Sequence, residues 1–228
     1  MTRLIDPSLK QLSAMLSEMG DLSIQSVMLA MESYLYGKNT TSQVHRISDE
    51  ITKKYFQVAD LTFEMLLKYQ PVADDFRLIR SSIEVSYGFS RFGRYAYDIT
   101  LVRDLFGDIS ECDKSWLIEA SEKVKTMIKD AVLYFADLDI RKSVSMQQNE
   151  DFVDKIYKQR LPMLVNSKDT KCALAEALVL RYLERIGDHA MFMSDAINYI
   201  VTGKHKLTKQ FLIKETEGVD LNNYESLR

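Results

Sequence analysis

The sequence predicts an all-α protein built as two tandem three-helix bundles followed by a polar tail. Three observations predict it. Only three prolines and eight glycines interrupt 228 residues, and they sit at specific places. Eleven methionines and abundant Leu, Ala, Glu and Lys suit helix interiors, because unbranched side chains lose little rotamer freedom there. No stretch shows the strict two-residue alternation of a half-buried strand.

The elements follow from this punctuation. Asp6-Pro7 reads as an N-cap followed by proline at the first helical position, where a missing N–H is harmless. That helix should run to Tyr36, with Gly37 as its left-handed C-cap. Asn39-Thr40-Thr41 caps a second helix ending near Tyr69, and Pro71 starts a third that reaches Phe106 before Gly107. A fourth should begin at Ser110 and stop around Ala136. Asp139 caps a fifth, interrupted or ended near Pro162, and Lys168-Asp169-Thr170 opens a sixth that stops at Gly203. In this last helix Ala175, Val179, Tyr182, Ile186, Ala190, Met193, Ile197 and Ile200 lie within roughly 40° of Ile186 on a helical wheel, forming one core-facing stripe. Residues 204–228 show no such stripe and read as a mobile tail, with one short turn expected around Phe211-Leu212-Ile213.

The halves also resemble each other. Ser90-Arg91-Phe92-Gly93-Arg94 shares a framework with Glu184-Arg185-Ile186-Gly187-Asp188, late in the third helix of each half. Upstream, Ser48-Asp49-Glu50-Ile51-Thr52 takes the place of Glu150-Asp151-Phe152-Val153-Asp154. The expected division is a first repeat over 1–108, a second over 109–203 and the tail over 204–228. A glycine inside each third helix, Gly93 and Gly187, is expected to permit close helix approach.

Charge and cysteine usage narrow the function classes. A net charge of −3 and a pI near 5.7 argue against a general nucleic-acid binder, which needs a basic face. Cys112 and Cys172 lie far apart with no paired spacing, so neither a disulfide framework nor a thiolate zinc site is expected. No apolar run approaches the ~18 residues of a membrane span, and the N-terminus has no secretory h-region. A cytoplasmic protein with only peripheral membrane association is expected.

The chemistry-bearing feature is acidic. Glu184 and Asp188 are four residues apart and share one face of the sixth helix; Asp195 falls on the same side, opposite the apolar stripe. Glu150 and Asp154 repeat the spacing one helix earlier. Were the two helices antiparallel neighbours, these carboxylates could converge on one groove. Hard cations prefer such oxygen ligands. From spacing alone, a solvated acidic face with Arg181 and Arg185 as counter-charges is the favoured reading, because acidic pairs are common on exposed helices.

Leu183-Glu184-Arg185-Ile186-Gly187-Asp188, together with Gln70-Pro71-Val72-Ala73-Asp74-Asp75-Phe76-Arg77, resembles the signatures of the PhoU family of phosphate-uptake and phosphate-signalling accessory proteins. The resemblance spans roughly residues 8–203, with Phe76 standing where the family has leucine. It implies two packed three-helix bundles, likeness to members that hold iron or other metal clusters on E/D-x-x-x-D motifs, and a metal site here at Glu150, Asp154, Glu184 and Asp188. It further implies contact with a phosphate transporter or a phosphate-sensing membrane protein, and a homodimer, which exposed faces such as Tyr95-Ala96-Tyr97 could support. The first half departs from the pattern: Ser90 and Arg94 replace one acidic pair, and Ser48 and Thr52 the other. Arg91 and Arg94 then read as a solvated basic face or an anion contact.

The implied role is a regulatory adaptor and not an enzyme. A metal-free scaffold is the alternative, and a carboxylate-metal enzyme a remote one. None of His45, His189 and His205 follows a glutamate by three residues, as buried diiron sites require, and no P-loop, nucleophile elbow or zincin motif is present.

Overall fold

The computed structural model describes residues 3–205. The turn expected around Phe211-Leu212-Ile213 lies outside the described residues. Six helices follow in order: α1 (Asp6–Tyr36), α2 (Thr41–Tyr69), α3 (Ala73–Phe106), α4 (Ser115–Asp137), α5 (Arg141–Val165) and α6 (Thr170–Thr202).

Their ends obey local chemistry. Gly37 and Gly203 take the left-handed conformation at φ 71° and 69° and close α1 and α6, their N–H groups donating to the Ser33 and Tyr199 carbonyls. Asp169 caps α6, its carboxylate accepting the Cys172 N–H at 2.9 Å. Three boundaries differ from the sequence reading. α3 begins at Ala73 and not at Pro71, because Val72 is held extended at ψ 164°. α4 begins at Ser115 and not at Ser110, because the Asp108 and Asp113 carboxylates accept the N–H groups of Ser110 and Ser115 and shape a turn-rich crossover. Pro162 lies inside the last turn of α5 and does not end it; its missing N–H removes one bond to the carbonyl four residues earlier, and the helix continues to Val165.

α1, α2 and α3 form one bundle and α4, α5 and α6 the other, while α1 packs on α4 and α3 on α6 across the middle. The buried apolar side chains make one continuous core from Ile5 to Ile200. Close approach of the bundles depends on two glycines. A Cβ on Gly20 of α1 would run into Val132 of α4, and one on Gly88 of α3 into Met193 of α6. Gly93 likewise admits α2, since its Cβ would lie 3.3 Å from Ser48 Cα. Gly187 departs from the expectation: a Cβ there meets only Met127 at 3.8 Å, an ordinary contact.

These differences predict opposite signs. Gly187→Ala should raise stability by up to ~1 kcal/mol through helix propensity. Gly20→Ala should lower it by about 1–3 kcal/mol, because the β-branched Val132 cannot easily rotate away. Urea midpoints of the two variants check both.

Candidate functional site

α5 and α6 are neighbours, as the sequence reading required, and they carry the four predicted carboxylates. The outer face of α6 is less open than a single-stripe wheel implies, because α6 packs against three helices and buries most of its circumference. Glu184 and Asp188 are consequently half-buried. Burial, then the negative charge of Asp188 and, more weakly, of Asp154, pushes the Glu184 carboxyl above its ordinary range against the pull of Arg181 and Arg185. Glu184, Asp188 and Asp154 therefore share one electrostatic field.

Basic side chains answer that field. Arg181 donates to Glu184 at 2.7 Å, Arg185 stands 3.5 Å from Asp188, and Lys158 donates to Asp154 at 2.6 Å. Lys158 is held charged chiefly by Asp154, with Glu150 and Glu184 adding to it. Glu150, only 8% exposed, accepts from Gln147 at 3.1 Å. Among the described residues no group of three or more His, Cys, Asp or Glu side chains is gathered to hold a metal ion. The donor chemistry suits a hard cation, but in this arrangement the carboxylates face Lys158, Arg181 and Arg185 and do not form a ligand group. Asp195 lies two turns beyond Asp188 on α6, close enough to Tyr134 of α4 to add to the burial that pushes this phenol up to about 12.

The first-half counterpart is closed by packing. Thr52 bonds back to the Ser48 carbonyl at 2.9 Å, and Ser48 sits against Gly93. Arg94 pairs with Asp98 at 3.2 Å on the surface. Arg91 is not part of a solvated basic face: it is half-buried, donates to the Tyr95 hydroxyl at 2.8 Å and lies over the Tyr95 ring at 4.8 Å. Tyr95 in turn stacks on Tyr182 at 6.2 Å and approaches His189. Tyr95 and Tyr97 are both half-buried within the chain, so they do not offer the exposed face expected of them.

The seam formed by Tyr87, Arg91, Tyr95, Tyr182 and His189 joins the bundles. Burial, followed by the charges of Arg91 and Arg185, lowers the His189 pKa to about 4. An unfolded chain takes up this proton near 6.5 and the folded chain only near 4, so His189 favours folding at neutral pH and loses that contribution as pH falls through this window. Wild type should lose about 1 kcal/mol more between pH 7 and pH 5 than His189→Gln, after allowance for partial screening. Urea titrations at the two pH values measure the difference.

The segment Gln70–Arg77 ties helix ends together. Asp75 accepts from Arg3 at 2.6 Å, holding the start of α1, and Arg77 donates to the Ile200 carbonyl at 3.2 Å, capping α6. Two further features escaped the sequence reading. Cys112 and Cys172, expected to be separate small residues, are joined by a disulfide with their Cα atoms 5.4 Å apart. The turns that delay α4 bring Cys112 over the first turn of α6, a tertiary approach that spacing along the chain does not encode. Next to them Arg160, 15% exposed, makes a two-point ion pair with Glu176, 5% exposed, at 2.5 and 3.0 Å. Glu176 falls on the inward side of the α6 wheel, and a carboxylate there was a sequence signal for a buried cationic partner.

The family model described as PhoU domain matches residues 16–101 and again 117–197. The chain is 27% identical to the phosphate-specific transport system accessory protein PhoU homolog of Clostridium acetobutylicum over 213 residues, covering 90% of this chain and 97% of that protein. It is 24% identical over 207 residues to the homolog of the same name in Synechocystis, covering 88% and 92%. Among solved structures it is similar to PhoU from Pseudomonas aeruginosa, with a TM-score of 0.82, 26% identity and coverage of 88% and 100%. PhoU from Streptococcus pneumoniae shares the fold at a TM-score of 0.78 and 16% identity, covering 90% and 100%.

Proposed function

Because the chain belongs to the PhoU family, we propose that it is a regulatory adaptor of phosphate uptake or phosphate-responsive signalling that acts by protein contact and not by catalysis. The observation that carries this reading is the match of both bundles to the same domain, together with near-full-length similarity to relatives named phosphate-specific transport system accessory proteins. Its partner is a phosphate transporter or a phosphate-sensing membrane protein, met at the membrane surface from the cytoplasm. No helix among the described residues is long and apolar enough to cross a membrane. The working unit is a homodimer. The test is phosphate uptake in the native host with and without the chain: uptake should stay high in phosphate-rich medium when it is missing. Unchanged repression would overturn the reading.

The face formed by Glu150, Asp154, Glu184 and Asp188 is the proposed place for an iron or other hard divalent cation, which would shape the contact surface. Lys158, 71% exposed and paired with Asp154 at 2.6 Å, is the group that must leave this ion pair and swing out for a cation to enter. A metal-free scaffold is the second reading, favoured by the ion pairs that already answer these carboxylates. Elemental analysis separates the two. A metal site requires bound metal in the wild type that falls to background in Glu184→Ala/Asp188→Ala; the scaffold reading requires negligible metal in both.

A further inference from the structure

The crossover between the bundles, residues 107–114, is held from several sides. Lys171 donates to the Asp108 carbonyl, Lys114 donates to the Leu35 carbonyl at 3.1 Å, and Arg160 reaches Asp113 at 3.9 Å. The covalent tie is the bond from Cys112 to Cys172 in the first turn of α6. Both cysteines are half-buried and not sealed in the core. Cys172 stands in the first turn of α6, its N–H donating to the Asp169 carboxylate at 2.9 Å. In a reducing compartment such a bond is usually a transient or sensing one.

We propose that Cys112 and Cys172 form a reversible redox clasp that fixes the crossover to α6, an inference that rests on the cytoplasmic placement given above. To close the clasp, the Cys172 thiolate attacks a small-molecule disulfide, breaking its S–S bond and releasing one thiolate. The Cys112 thiolate then attacks the Cys172 sulfur of the mixed disulfide and releases the second. Two protein thiols are oxidised, one small disulfide is reduced to two thiols, and the two protons pass to the departing thiolates. Opening is the reverse, with two small thiols as reductant. Open, the crossover is held only by its polar contacts; closed, it is anchored to the second bundle beside the Arg160–Glu176 pair.

The test uses the full chain equilibrated over a series of reduced-to-oxidised glutathione ratios, alkylated with iodoacetamide and weighed by mass spectrometry. The clasp predicts two alkylated cysteines at the reducing end, none at the oxidising end, and a reversible transition between. It also predicts faster proteolytic cleavage within 107–114 in the reduced form, a rate that Cys112→Ser shows at every ratio. Cysteines that are both alkylated at all ratios, or both protected at all ratios, would overturn the proposal. So would a wild-type cleavage rate indifferent to oxidation. None of these readouts depends on phosphate, so failure here leaves the adaptor reading standing.

Discussion

Arg160→Ala is expected to lower the free energy of unfolding by about 3–5 kcal/mol, because it leaves the Glu176 carboxylate buried with its two-point partner gone. The Arg160 guanidinium also lies 5.5 Å from the Trp116 ring centre and reaches towards Asp113. Its removal therefore loosens α4, α5, α6 and the crossover together. Replacing both members, Arg160→Met with Glu176→Leu, should recover much of the loss, since an apolar pair of similar volume avoids the uncompensated charge. Urea unfolding of the single and double variants checks this. A double variant as unstable as Arg160→Ala would mean that the pair acts through geometry and not through charge compensation.

Phe89→Ala should cost about 3–5 kcal/mol and act mainly between the bundles. Phe89 is 1% exposed, meets Phe92 edge-on at 6.1 Å, and lies beside both Gly20 of α1 and the pocket of about 410 Å³ between α1, α3 and α4. Truncation would enlarge a space that Leu16, Val132 and Phe135 already line and cannot refill. The urea midpoint should fall, and Phe89→Leu should lose less. Equal losses in the two variants would mean that ring volume is not what joins the bundles.

Much of this architecture was legible because it is local. Proline, glycine and capping residues placed the ends of α1, α2 and α6, and a three-to-four-residue apolar rhythm identified the buried stripe of α6. The errors arose where long-range contact overrides local pattern. Asp108 and Asp113 turned the expected first residues of α4 into crossover. A one-stripe wheel missed that α6 is central, touching three helices, so Glu184 and Asp188 are half-buried, although Arg181 and Arg185 are the counter-charges that the sequence suggested. The glycines singled out from the repeat were Gly93 and Gly187, yet Gly20 and Gly88 are those that bring the bundles together. Nothing in helical spacing says which glycine faces another bundle.

The candidate site was legible in identity and only partly in arrangement. The pairs Glu150/Asp154 and Glu184/Asp188 do lie on adjacent helices, as their spacing suggested. Lys158, one turn beyond Asp154, was visible in the sequence and is the group that reaches the shared field. Asp195, assigned to the same face by angle, lies two turns beyond Asp188, and its charge also reaches Tyr134 of α4. In the first half Ser48 lies against Gly93, where a larger side chain would hold α2 and α3 apart, while the exposed Arg94 has no such packing reason.

The central claim is that this protein works by phosphate-dependent contact with a membrane-bound transporter or sensor. Its most direct test is affinity purification of the full chain from its host, crosslinked in phosphate-rich and phosphate-starved cultures, with recovered proteins identified by mass spectrometry. The account predicts a phosphate transporter or phosphate-sensing kinase recovered in amounts that change with phosphate supply. Recovery of neither under either condition would contradict it.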